Sequence, residues 1–110
     1  MRDNTRGLVL LRQALNLQER AEAALDKREW GNASLLFWHA TQVAVQALDL
    51  VSNRDACKLT VKVLGQLNLG EDFANQCLVW EDLGHAPEEL LAKLWPVVFP
   101  QDSQRTLANH

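Results

Sequence analysis

The stretch WGNASLLFWHATQVAVQALDLV, residues 30–51, decides the fold. Positions 30, 33, 37, 40, 44, 47 and 51 carry Trp, Ala, Phe, Ala, Ala, Ala and Val. Steps alternating between three and four keep these side chains on one face of a helix. Leu36, Val43 and Leu50 form a second apolar line, and Trp38, Val45 and Leu48 fill much of the remaining circumference. Asn32, His39, Gln42, Gln46, Asp49 and Asn53 make the polar stripe. A helix this apolar is usually buried on several sides. Its repeated alanines lower the surface relief, so a neighbouring helix can come close. No proline interrupts the run, and its one glycine, Gly31, lies at its start. We therefore expect a central helix over residues 30–52, with the other segments covering it.

On its N-terminal side the spacing predicts a helix over residues 4–26, with Asp3, Asn4 or Thr5 as its cap. Leu10, Ala14, Leu17, Ala21 and Ala24 form its stripe, widened by Leu11, Leu15 and Leu25. The link around residues 26–29 is short enough to force an αα-hairpin. On the C-terminal side a third helix over 54–66 starts from Ser52 or Asn53, with Ala56, Cys57, Thr60, Val61, Leu64 and Leu67 as its buried face. Asn68, Leu69 and Gly70 read as a turn. A fourth helix follows over 71–83, with Phe73, Cys77 and Trp80 on one face and Gly84 as its C-terminal cap. Pro87 opens a fifth helix over 87–95, which Pro96 should kink or stop. The fold class is thus all-α, an antiparallel four- to five-helix bundle, with one domain over 1–99 and a polar tail over 100–110.

Composition agrees with a single globular domain: 110 residues, 47% hydrophobic and 23% charged. No window has the roughly 20 apolar residues of a membrane span, and the first residues do not read as a signal peptide. Two cysteines with no CxxC pair, Cys57 and Cys77, fit buried thiols in a reducing cytosol. The expected location is therefore cytoplasmic. A net charge of −3 speaks against a general nucleic-acid binder. The charge is uneven: residues 1–28 carry six bases against four acids, and residues 71–102 carry seven acids against one base. Such polarity can orient a partner or a second copy.

The segment AEAALDKREWGNASLLFWHATQVAVQALDL resembles the core hairpin of HEPN-like domains. In both, a first helix ends in a short linker with an aromatic, here Trp30. A second helix then carries small residues, here Ala33, Ala40 and Ala44, before the pair Ala47 and Leu48. The following order is similar to the PaREP-type branch: a helix ending LGQLNL, a helix opening on Glu71, Asp72 and Phe73, and a last helix with paired acids and leucines. The resemblance covers roughly residues 10–95. It implies a bundle that is often a homodimer, in RNA-related toxin–antitoxin or defence systems, sometimes beside a nucleotidyltransferase. Many PaREP-type members have no assigned activity. Catalytic members carry an Arg, a polar residue, a few more residues and a His, which two subunits bring together on an RNA phosphate. RTLANH at residues 105–110 has that spacing through Arg105 and His110, with Thr106 where Asn, Asp or His is usual. The same hairpin also resembles a tetratricopeptide unit through Ala33, Phe37 and Ala40, but no second copy of the repeat is present.

The sequence contains no HExxH, no nucleophile elbow and no glycine-rich phosphate loop. We expect no cofactor and no metal. His39, Gln42 and Gln46 mark a polar cluster on the central helix, either a hydrogen-bonded group and dimer contact or a small ligand site. Trp38 falls away from the 30–37–44 face and suits an interface anchor. Arg54, Lys58 and Lys62 repeat every four residues as a solvated face or a contact for an acidic partner. The favoured expectation is a non-catalytic HEPN-like module that binds itself and another macromolecule. Behind it stand a ribonuclease using Arg105 and His110 and a helical peptide-binding adaptor.

Overall fold

A computed structural model of the chain describes residues 4–98. They form α1 (Asn4–Asp26), α2 (Trp30–Leu50), α3 (Arg54–Asp82) and α4 (Pro87–Val98), with no strand among the described residues. The chain is all-α, as its periodicity predicts. α2 packs along both α1 and α3, which scarcely touch one another. The resulting body is flat and long, 51 × 29 × 16 Å, with a radius of gyration of 15.0 Å. A compact chain of this length would have a radius near ~13 Å.

The seven positions that define the inner face of α2 are all buried: Trp30 is 3% exposed, and Ala33, Phe37, Ala40, Ala44, Ala47 and Val51 are fully enclosed. α1 meets that face with Gly7, Leu11, Ala14, Gln18, Ala21, Ala24 and Leu25. Gly7 is there for closeness. A Cβ on it would lie 2.7 Å from Val51 Cγ1 and 2.9 Å from the Val51 nitrogen. α1 and α2 run antiparallel, so the start of α1 reaches the exit of α2. There Asn4 Oδ1 accepts hydrogen bonds from the Ser52 and Asn53 amides at 3.0 and 3.2 Å. Asn4 thus ties the α2–α3 link to the start of α1. Asn53 caps α3, its side chain accepting from the Asp55 and Ala56 amides.

The expected turn at residues 68–70 does not form. Residues 54–82 make one helix of 29 residues. Gly70 is buried in its middle, where an added Cβ would come within 2.5 Å of Phe37 Cε1. Its missing side chain makes room for the Phe37 ring. A mid-helix glycine costs about 1 kcal/mol against alanine, and packing a phenylalanine outweighs that. The buried face of α3 over 54–67 holds the expected Ala56, Thr60 and Leu67, with Val63 buried in place of Val61, which is 57% exposed. α2 ends at Leu50, with Val51 extended. α4 continues through Pro96 to Val98. Proline there deletes the single bond to the Ala92 carbonyl, and Ala92 is exposed, so water can take its place.

Two helix ends share one geometry. At the end of α3 the His85 amide bonds the Trp80 carbonyl and the Gly84 amide bonds the Glu81 carbonyl. This is a Schellman closure, with Gly84 at φ +84° in the left-handed region. At the end of α1 the Glu29 amide bonds the Ala24 carbonyl and the Arg28 amide bonds the Leu25 carbonyl. There the left-handed residue is Arg28, at φ 64°.

Candidate interaction faces

Packing α1 and α3 against the alanine side of α2 turns its opposite side to solvent. Leu35 is 68% exposed, Trp38 51% and Val45 44%. His39, Gln42, Gln46 and Asp49 are exposed around them. The structure therefore gathers Trp38, His39, Gln42 and Gln46 on one outward surface. No Asp, Glu, Lys or Arg occurs in α2 from Trp30 to Leu48, so this surface lacks the charges that usually keep a helix wet. Large side chains that stay exposed over such a neutral area make it a candidate interaction face.

A second feature lies where α1 and α3 diverge. Leu15, Leu59 and Val63 line an open groove of about 330 Å³ with Gln18, Gln66 and the charged Glu19, Glu22 and Lys62. Gln18 is 9% exposed and its Nε2 donates to Glu22 Oε1 at 3.4 Å. Of the predicted basic ladder, Lys62 lines this groove, while Arg54 and Lys58 are exposed on α3 and line no described hollow.

A third feature is a hollow of about 350 Å³ at the end of α3, lined by Asp72, Asn75, Gln76, Val79, Trp80 and the C-cap Leu83. The Trp80 ring meets His85 edge-on at 5.3 Å, and its indole Nε1–H has no hydrogen-bond partner among the described residues. The corresponding donor of Trp30 is satisfied by Glu81 Oε2 at 3.0 Å.

Neither described cysteine is a ready nucleophile. Cys77 is fully enclosed, and burial pushes its thiol up to about 11, so it stays protonated at neutral pH. Its sulfur is therefore a poor nucleophile. Cys57 is half-buried and directs its Sγ to the Val51 carbonyl at 3.6 Å. No group of three or more His, Cys, Asp or Glu able to hold a metal occurs among the described residues. Arg105 and His110 lie outside the described residues. Among the described residues no helix is long and apolar enough to cross a membrane.

Sequence reasoning missed Arg28. Its guanidinium donates to the Asp26 carbonyl at 2.9 Å and pairs with Glu88 at 3.1 Å, joining the end of α1 to the start of α4. The Glu88 amide and then Arg28 hold that carboxyl below the usual glutamate range. A non-glycine residue two positions beyond a helix end was the available signal, but nothing local distinguishes it from an ordinary surface arginine.

No family model, curated protein or solved structure matches the chain.

Proposed function

We propose that this chain is a non-catalytic HEPN-like helical module, an antiparallel bundle that acts through self-association and the binding of another macromolecule. A toxin–antitoxin or RNA-related defence system is its proposed setting, with a nucleotidyltransferase as the candidate protein partner. The supporting observation is the uncharged outer face of α2, where Leu35, Trp38 and Val45 stand in solvent. The hairpin agrees with the resemblance: Trp30 opens α2, and Ala33, Ala40 and Ala44 let α1 and α3 approach it.

Sedimentation of the whole chain tests the reading. A dimer is expected at high micromolar concentration, and a monomer throughout that range contradicts it. RNA cleavage that is lost on His110→Ala would replace the non-catalytic reading with the ribonuclease one. The tetratricopeptide likeness has less support, because the α1–α2 hairpin runs from residue 4 to residue 50, longer than a ~34-residue unit.

A further inference from the structure

The exposed positions along the middle of the outer face of α2 are Gly31, Leu35, Trp38, Gln42, Val45 and Asp49. Their steps are four, three, four, three and four, the spacing of a two-helix seam. The series reads the same from either end, with its midpoint level with Ala40. From these observations we infer that a second copy of this chain packs its α2 antiparallel along this stripe, about a two-fold axis at the level of Ala40. The inference rests on the self-association reading and adds its surface and register.

Under that axis Trp38 faces Gln42 of the partner subunit, Leu35 faces the partner's Val45, and Gly31 faces the partner's Asp49. A two-fold interface must be complementary to itself. A charge near the axis would meet its own copy, and the stripe carries none from Gly31 to Val45. Beside the axis the Trp38 indole N–H finds an acceptor in the amide oxygen of Gln42 of the partner subunit, which suits a tryptophan at an interface. The next layer outward is purely aliphatic. The one charged residue of the stripe, Asp49, falls at the ends, against the first turn of the other α2.

That first turn has room for it. The N-terminal end of a helix favours an anion, but Glu29, the N-cap of α2, already sets a like charge there, so the fit of Asp49 is one of space rather than of charge. Glu29 Oε1 accepts from Asn32 Nδ2 at 3.2 Å. The approach is open, since nothing lies within 4 Å of the position a Gly31 Cβ would occupy. The stripe spans 19 residues, about 27 Å at the helical rise.

Sedimentation velocity on the full chain and on Leu35→Glu, Val45→Lys and their equimolar mixture tests this. Both positions are exposed in the monomer, so each variant should keep its helical circular dichroism. Each single variant should weaken the dimer by about tenfold or more, because an unpaired charge enters an apolar seam. The mixture should recover a dimer, because Glu at 35 then meets Lys at 45 of the other chain while the second Leu35–Val45 layer stays native. If one variant fails to fold, Trp38→Arg with Gln42→Glu repeats the test one layer nearer the axis. A wild-type chain that is monomeric at high micromolar concentration overturns both the self-association reading and this inference. A wild-type dimer that survives both single substitutions overturns this face alone and moves self-association elsewhere, as to the α1–α3 groove. Single variants that dissociate and stay apart on mixing overturn the register.

Discussion

The two sides of α2 have similar chemistry and opposite surroundings. Inside, Trp30, Phe37 and Val51 alternate with four alanines and are sealed by α1 and α3. Outside, Leu35, Trp38 and Val45 alternate with amides and remain in solvent. Neither side carries a formal charge before Asp49. A helix that needed only one covered side would place lysines and glutamates on the other, as α1 does with Arg12, Glu19 and Arg20, which are exposed. Stability of the single chain accounts for the inner side of α2. The outer side is left uncovered by the described residues.

The contrast can be broken first from inside. Phe37 is fully enclosed and fills the space that Gly70 leaves. Phe37→Ala should therefore cost about 3–5 kcal/mol, measured by urea unfolding. Gly70→Ala attacks the same contact from α3. Its Cβ would press on the Phe37 ring, so a loss of about 1–3 kcal/mol is expected despite alanine's better helix propensity. An increase in stability there would mean that the ring moves aside freely.

The junction of α1, α2 and α4 offers a smaller probe. Arg28 sits in the left-handed region, so Arg28→Gly should be more stable than Arg28→Ala by about 1 kcal/mol. Both lose the ion pair with Glu88. The folded-state pKa of Glu88 is depressed. Its contribution is therefore complete above the ordinary carboxylate range and is lost as pH falls through the depressed value. The part of the difference between wild type and either variant that comes from this pair should fade as pH falls below the ordinary glutamate range, as followed by thermal melts. The part due to the Glu88 backbone amide should persist in both.

The outer face should give the smallest change in stability. Trp38→Ser in the dilute monomer should move unfolding by no more than about 0.5 kcal/mol, while abolishing any dimer. A loss of several kcal/mol would place Trp38 in the core and end the comparison between the two sides.

Much of this architecture was legible in the chain. The inner face of α2, the limits of α1, the Asn53 cap and the Gly84 closure all follow from local periodicity or local turn chemistry. Gly70 was not legible as a packing residue. Asn-Leu-Gly reads locally as a turn, and the reason it stays helical is Phe37, distant in sequence. On the buried face of α3, Val61 is the one position set on the wrong side: once the segment is divided at residue 68, Val61 and Val63 compete equally for the buried side. For the candidate faces, Trp38 and the amides were visible because they fall off the apolar spacing. The α1–α3 groove was not visible, since it depends on how far two helices that barely touch diverge over a third. Arg28 escaped because the strain it carries is a property of the backbone rather than of residue type.

The central claim is that the outer face of α2 is built for contact, and the indole N–H resonances of the ¹⁵N-labelled protein report on it most directly. On dilution from high micromolar to low micromolar concentration, the Trp38 signal should shift toward its monomer position. The Trp30 signal, held by Glu81 inside the fold, should stay where it is. A Trp38 signal that is independent of concentration, or a Trp30 signal that moves in its place, would contradict the account.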